Sequence, residues 1–542
     1  MAKITFKINN PQQDLLLPPS LDELIPVNHP VRIVNHVIDK IDIADILHQY
    51  KGGGCSSFHP RMMLKVIIYA YLCNVYSSRQ IARQLRENIY YMWLSGYSKP
   101  DHRTINNFRS KRLQGNIENI FKQVVELLAA EGLVSLKTVY IDGTKIESKS
   151  NRYRVVWRKN VERHSKNLKI KIASILEEIE SVIKMEKEEN LSEESITEMN
   201  SEELKECIDR IAQKLNEQNK EEKKKCKTIK EKMLPKLSEY EEQHEKLGNR
   251  NSYSKTDEDA TFMRSKEDIM QKGELKPMYN VQIGTENQFI TLYDIGQKAG
   301  DTTLLLPFYE KWKNTYRHYP KEAIADAGYG SEQNYGYMLE NQILPYVKYN
   351  TYEQEKTKKF LDNIYHSYNL AYHKEGNYVT CPIGKKMKFK GERKYVSDMG
   401  YKSSSSMYEG IDCGECPLKE KCYNGKYNRV VEINHKLIKY RQIAKMYLNS
   451  EIGKYHQKKR SIEPEAVFGQ LKWNKGFRRF RLTGLSGVSN EFGLLALAHN
   501  LKKYAKIKAL LPYFDFFSPY FHCLPIHIFF MPEKYFNQRI LA

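Results

Sequence analysis

The chain has 542 residues, of which 41% are hydrophobic and 28% charged, and a formal net charge of +21. Such a length predicts two to four domains, and the apolar share excludes a chain disordered throughout. The cationic surplus favours a polyanionic partner such as nucleic acid.

The start, MAKITFKINNPQQ, lacks an apolar core of signal-peptide length. Residues 1–30, rich in Pro and Asn, read as an extended arm. From about 31 to 133 the pattern is helical. RMMLKVIIYAYLCNVYSSRQIARQLRENIYYMWL (61–94) is apolar at helical spacing, with one break near Tyr76-Ser77-Ser78. Ser77 or Ser78 suits the N-cap of a helix carrying Arg79, Arg83 and Arg86. A turn signal, GYSKPDHRT, precedes another basic helix, INNFRSKR. Short basic helices joined by tight turns fit either a helix-turn-helix DNA reader or a plain bundle with a solvated face.

VYIDGTKIE (139–147) is the first expected strand, read as reaching its C-terminal end near Asp142. The stretch 157–250 is rich in Lys and Glu, with Ile and Leu at three- and four-residue spacing. It predicts a helical hairpin or short coiled coil inserted into a sheet. MYNVQIGTENQFITLYDIG then reads as a hairpin around a polar turn, and GDTTLLLPFYEKWKNTY as a helix. EAIADAGYG is a short strand ending on Asp326, SEQNYGYMLENQ a helix and ILPYVKYN a strand. Acids at strand ends are where open α/β sheets place chemistry; for either aspartate alone a loop role is the better reading, and their matching context shifts the balance.

Nine cysteines, an odd number and mostly scattered, suit a reducing cytoplasm better than a disulfide framework. Cys381, Cys413, Cys416 and Cys422 form a Cys-x₂-Cys pair with two further thiols, a set able to close a tetrahedral zinc site or to remain four reduced loop thiols. Cys55, Cys73, Cys207, Cys226 and Cys523 have no such neighbours. In YHQKKRSIEPEAVFGQLKWNKGFRRFRLTGL (455–485), Pro464 suits the first turn of a helix. Glu465 and Lys472 are seven apart and share one face of a regular helix. Arg478, Arg479 and Arg481 follow, interleaved with Phe477 and Phe480. The apolar end at 507–531 is broken by prolines, Asp515 and histidines. It reads as a docking segment or irregular end, and no membrane partner is expected.

HPRMMLKVIIYAYLCNVYSSRQIARQL, PDHRTINNFRS, YIDGTKIES, TDEDATFM, YNVQIG, IADAGYGS, EPEAVFGQLK, GFRRFRLTG and ALAHNLKK occur in this order. Over most of residues 15–505 the chain thereby resembles bacterial insertion-sequence transposases with an Asp-Asp-Glu (DDE) triad on an RNase-H-like core. The resemblance implies Asp142, Asp326 and Glu465 as the triad. It also implies a Tyr-Arg-Glu-Lys signature, of which Glu465 and Lys472 keep the spacing. Tyr455 and Arg460 are the nearest candidates for the other two, with altered gaps, and Glu463 is a rival for the glutamate. Hard carboxylates suit two Mg²⁺ or Mn²⁺ ions about 3.5–4 Å apart, which align a nucleophile and relieve charge on a phosphoryl group.

The expected architecture is an α/β (α+β) mixed sheet in an RNase-H-like core with appended helices. The helical DNA-binding part spans 1–133 and the core 134–156 with 251–350. A charged helical insertion spans 157–250 and a Cys-rich insertion 351–430. Residues 431–505 form a helical part carrying the glutamate, and 506–542 an apolar tail. The expected partners are transposon-end and target DNA, bound by Arg79, Arg83, Arg86, Arg460, Arg478, Arg479 and Arg481. A homodimer or higher oligomer is expected on that DNA, in a bacterial cytoplasm at the nucleoid. An RNase-H-like nuclease without strand transfer and a catalytically inactive DNA-binding derivative are the alternatives.

Overall fold

The computed structural model describes residues 19–50, 57–183, 193–215, 219–265, 273–397 and 399–515. Most of the expected N-terminal arm, the apolar tail beyond Asp515, Cys55 and Cys523 lie outside them. Among the described residues no helix is long and apolar enough to cross a membrane.

Two compact units divide the chain, residues 1–134 with 490–542, and residues 135–489. In the first, helices α1 (Pro30–Lys40) and α2 (Pro60–Leu72) start alike. A His-Pro step puts Pro at the first turn, where no amide hydrogen is needed. The preceding His29 and His59 accept from the Val31 and Arg61 amides at 3.3 and 3.2 Å. Helix α3 (Ser78–Glu87) begins after the expected break, with Ser77 at its N-cap. Asn88 caps α4 (Ile89–Ser95), which ends on left-handed Gly96. Asp101 caps α5 (His102–Asn107), and α6 (Ile117–Ala130) follows.

The second unit is built on a mixed sheet. Strand β1 (Thr138–Glu147) lies between an antiparallel neighbour, β5 (Leu275–Glu286), and a parallel one, β7 (Glu322–Ala325). Strand β6 (Phe289–Gly296) returns along β5 through Asn287 and Gln288, both at positive φ, as a tight two-residue hairpin requires. Strand β8 (Leu344–Val347) extends the parallel side beyond β7. The spatial order is therefore β6-β5-β1-β7-β8, with the short β4 (Thr261–Arg264) also on β5. Helix α11 (Leu305–Tyr316) precedes β7 and α12 (Glu332–Glu340) precedes β8. This is the strand and helix succession expected from the sequence. One detail differs: β1 does not end at Asp142 but runs five residues past it, because Asp142–Glu147 remain paired to β5.

Between β2 (Val155–Trp157) and β3 (Ser252–Ser254), which pair with each other, stands the charged insertion. It holds α7 (Arg158–Ile183), α8 (Ser201–Lys214), α9 (Lys220–Thr228) and α10 (Leu234–Leu247). The insertion is more than a hairpin. Ile172, Leu176, Leu204, Ile208, Ile229 and Leu237 close a core of their own, and Cys207 and Cys226 are buried in it. The sparse aliphatic stripe suffices because several helices share it.

The Cys-rich stretch is a five-stranded antiparallel sheet of strands β9 (Tyr372–His373), β10 (Tyr378–Thr380), β11 (Lys386–Val396), β12 (Lys402–Glu409) and β13 (Val430–Ile433). Helices α13 (His435–Asn449), α14 (Glu451–Arg460) and α15 (Pro464–Gly469) follow. The last helix, α16, spans Leu485–Asp515. The sequence pattern groups all of it up to 505 with the glutamate-bearing part, yet from Asn490 onward it clusters with the N-terminal helices. Polar contacts account for this. Buried Glu491 accepts from the Tyr71 hydroxyl at 3.3 Å, and Glu131 pairs with Lys508 at 2.9 Å.

Candidate active site

The parallel register of β1 and β7 pairs Thr138 with Glu322 and Tyr140 with Ile324. Continued by two residues, it brings Asp142 level with Asp326, just where β7 ends. The Gly143 amide donates to Asp142 Oδ1 at 2.9 Å. Asp326 caps a short turn by accepting from the Gly328 amide at 2.9 Å. Glu465 lies in the first turn of α15, which Pro464 opens.

One guanidinium joins the three acids. Arg460, the last residue of α14, stands 3.7 Å from Asp142 Oδ2, 3.7 Å from Asp326 Oδ2 and 3.3 Å from Glu465 Oε1. Its Nε is buried with no hydrogen-bond partner among the described residues. The side chains grade from interior to surface: Asp142 is 18% exposed, Asp326 42% and Glu465 51%. Burial pushes the Asp142 carboxyl up to about 6, against the pull of Arg460 and with help from Asp326 and Asp301. Among the described residues no three His, Cys, Asp or Glu side chains stand close enough to grip a metal as they are placed. The three acids around Arg460 nevertheless carry the hard oxygen donors that a divalent ion takes.

Glu463, the rival glutamate, is elsewhere. It is buried, accepts from the Gln288 amide at 2.7 Å and lies 3.8 Å from Lys459. Lys472 is buried in a widened turn, Gln470–Asn474, that follows α15, so the seven-residue step from Glu465 is not two regular helical turns. It lines a cavity of about 90 Å³ with Gly143, Thr144, Asn280 and Asp301. Tyr455 is exposed, its ring 5.5 Å from the Lys459 ammonium.

Sequence reasoning does not single out Asp301, Asn280, Gln282 or Tyr329. Asn280 and Gln282 are buried on β5, and both donate to Asp301, at 2.7 and 3.1 Å. The buried Tyr329 hydroxyl donates to Gln282. Burial first, then Asp301, Asp142 and Asp326, hold that hydroxyl well above the usual phenol range. The available signal is two amides at alternate positions of an otherwise apolar strand, YNVQIG. A buried polar side chain in such a strand needs a partner.

The basic residues divide. Arg79 lines a cleft of about 440 Å³ with Ser77, Ser78, His102, Arg103 and Lys111, between α3 and α5. Arg83 pairs with Glu87 at 2.8 Å, and Arg86 donates to the Ala82 carbonyl. Arg478 stacks on Trp473, 4.1 Å from the ring centre. Arg479 donates to the Ser148 and Ser150 carbonyls, both at 2.9 Å, which ties its segment to the end of β1. Arg481 is exposed, whereas Phe477 and Phe480 are buried. Cys381, Cys413, Cys416 and Cys422 line one small cavity of about 40 Å³, with no disulfide among them. Arg429 donates to Cys422 Sγ at 3.0 Å.

A chain with one unit that presents clustered acids on a mixed sheet and another of short basic helices fits a DNA-processing class of protein. Comparison with known families gives the particular one. A transposase DDE domain model matches residues 380–505, and a transposase domain model (DUF772) matches residues 19–111. These two domain matches support an insertion-sequence transposase of the DDE type, with DNA transposition as its function. No curated protein and no solved structure matches it.

Proposed function

We propose that Asp142, Asp326 and Glu465 are the catalytic triad of an RNase-H-like core that hydrolyses phosphodiesters at element ends and joins the freed 3′-hydroxyl to target DNA. The observation that carries this reading is the convergence of three carboxylates, from positions 142, 326 and 465, on the one Arg460 guanidinium. The strand order, with an antiparallel β6-β5-β1 half and a parallel β1-β7-β8 half, supports the core assignment. Bound Mg²⁺ or Mn²⁺, two ions, would supply charge relief at the phosphoryl group and an activated oxygen nucleophile.

The chain's own groups do the rest. Asp142 is held within β1 and Asp326 just past the end of β7, so both carboxylates start from fixed backbone positions. Asp142 is the most buried and must give up its proton for the site to work. Arg460 neutralises the acids and lies where a scissile phosphate would meet it; Lys472 serves as a second phosphate ligand. Arg79, with Arg83 and Arg86 nearby on α3, binds element-end DNA through the cleft against α5. Arg478 and Arg481 add bonds to phosphate, whereas Arg479 serves the fold. The chain is divided into a helical DNA-binding domain, 1–133, a catalytic core, 134–156 with 251–350, a helical insertion, 157–250, and a Cys-rich part, 351–430. The four cysteines hold one structural zinc. The active form is a homodimer or higher oligomer on DNA, at the nucleoid.

Incubating the full chain with end-labelled element DNA and Mg²⁺, against an EDTA control, tests the reading. Cleavage with joined products is expected. Cleavage alone would leave a nuclease, and binding alone an inactive derivative.

A further inference from the structure

Asp301 lies in the turn between β6 and α11, outside every motif that pointed to the triad. Its Oδ1 is filled by two buried amides on β5, Asn280 at 2.7 Å and Gln282 at 3.1 Å. The cradle is fixed from behind. Gln282 also donates to Asn280 Oδ1 at 3.0 Å, and its oxygen accepts from Tyr329, so its amide nitrogen faces Asp301. Among the described residues, Asp301 Oδ2 receives no hydrogen bond.

That second oxygen lies towards Asp326, whereas Oδ1 lies towards Gly143, the neighbour of Asp142. A Cβ at Gly143, next to Asp142, would come 2.8 Å from Asp301 Oδ1. A Cβ at Gly328 would lie 3.0 Å from Asp326 Oδ1 and 3.9 Å from Asp301 Oδ2. Glycines at both positions leave Asp301 and Asp326 flanking the same gap. Lys145 and Lys472 line the same cavity as Asp301 and offset part of its charge, yet Asp301, Asp142 and Asp326 still repel one another, and a neutral side chain would fill the same amide cradle. A divalent cation would offset the remaining charge, and carboxylate oxygen is the donor such a cation takes.

We propose that Asp301 is a fourth carboxylate of the divalent-cation centre, presenting Oδ2 to the ion held by Asp142 and Asp326. The inference rests on the catalytic reading above. Asp301→Asn is the discriminating variant, because its Oδ1 still accepts from Asn280 and Gln282 while the charge at Oδ2 is removed. The measurement is Mn²⁺ binding to the full chain by titration calorimetry, with the urea-unfolding midpoint of the metal-free protein. Mn²⁺ affinity at least tenfold below the parent, with an unfolding midpoint equal to or above the parent's, is the expected result. Parental affinity in Asp301→Asn, with binding abolished in Asp142→Asn, would overturn the Asp301 inference alone. No Mn²⁺ binding by the parent would overturn the metal-centre reading with it. If Asp301→Asn does not fold, Fe²⁺-directed cleavage of the parent backbone decides. Cuts near residues 142, 326 and 301 support the inference; cuts near 142 and 326 without 301 overturn it.

Discussion

Replacing Arg460 with Gln removes the one charge shared by the three acids and leaves a polar side chain in its place. At the distance separating Arg460 and Asp142, 3.7 Å, an opposite charge near a protein surface contributes about 4 kcal/mol before screening. Asp326 and Glu465 are 42% and 51% exposed, so solvent reduces their share to about 1 kcal/mol or less each. The loss therefore falls chiefly on Asp142, which escapes by taking up a proton. Its folded value, about 6, already lies above the unfolded one, so its ionisation opposes folding. Stability is lost as pH rises from about 4 towards the folded value. Without Arg460 that value rises by a further 1–3 pK units or so, and the loss extends to higher pH. The expected cost at pH 7.5 is about 2–3 kcal/mol, shrinking to about 1 kcal/mol or less at pH 5, where the carboxyl is protonated in parent and variant alike. Mg²⁺ should restore most of the loss at pH 7.5. Urea unfolding at both pH values, with and without Mg²⁺, measures all of this. An equal loss at pH 5 and pH 7.5, untouched by Mg²⁺, would show that Arg460 serves packing rather than the acids.

Changing Arg79, Arg83 and Arg86 to Glu should weaken element-end binding without unfolding the chain. The dependence on salt should flatten by about 0.9 in log–log slope for each phosphate no longer neutralised. Unchanged affinity in a mobility-shift titration would remove α3 from the DNA-binding surface. The Cys413→Ser, Cys416→Ser double variant should lose the zinc found in protein purified without chelator. Equal zinc content by metal analysis would return the four thiols to an unliganded loop. Excising residues 158–250 with a short turn should leave a folded, soluble core, because Trp157 and Ser252 are already paired and the helices keep their own apolar centre. Insoluble product would show that the insertion supports the core.

Much of this layout is legible in the sequence, for reasons particular to each element. The switch from helical to alternating periodicity marks the β5–β6 hairpin, and Asn287-Gln288 tolerate the positive φ its turn needs. Short apolar runs ending in an acid and a glycine locate Asp142 and Asp326. The extent of β1 escapes such reading, because polar residues Thr144 and Lys145 look like loop yet find their pairing on β5. Spacing to Lys472 favours Glu465 over Glu463 but does not show where either side chain lies. Burial against the Gln288 amide separates them, and that hydrogen bond depends on a turn 175 residues away. The sequence offers Arg460 as a DNA-binding residue and as a candidate for the signature arginine, since nothing local indicates that Asp142 and Asp326, far along the chain, meet it together with Glu465. Asp301 is invisible because its cradle comes from another strand. The split of α16 depends on tertiary partners such as Tyr71, which no helical pattern reveals.

The central claim is that Asp142, Asp326 and Glu465 act as one unit on DNA. The direct measurement is cleavage and joining of labelled element ends in Mg²⁺ by Asp142→Asn, Asp326→Asn, Glu465→Gln and Glu463→Gln, each first shown to fold and bind DNA. The first three should bind but neither cleave nor join, as expected when one member of a cooperating set is removed. Glu463→Gln should stay active, with lower stability from its weakened hydrogen bond to Gln288. Parental cleavage by any of the first three, or an inactive Glu463→Gln beside an active Glu465→Gln, would contradict the claim.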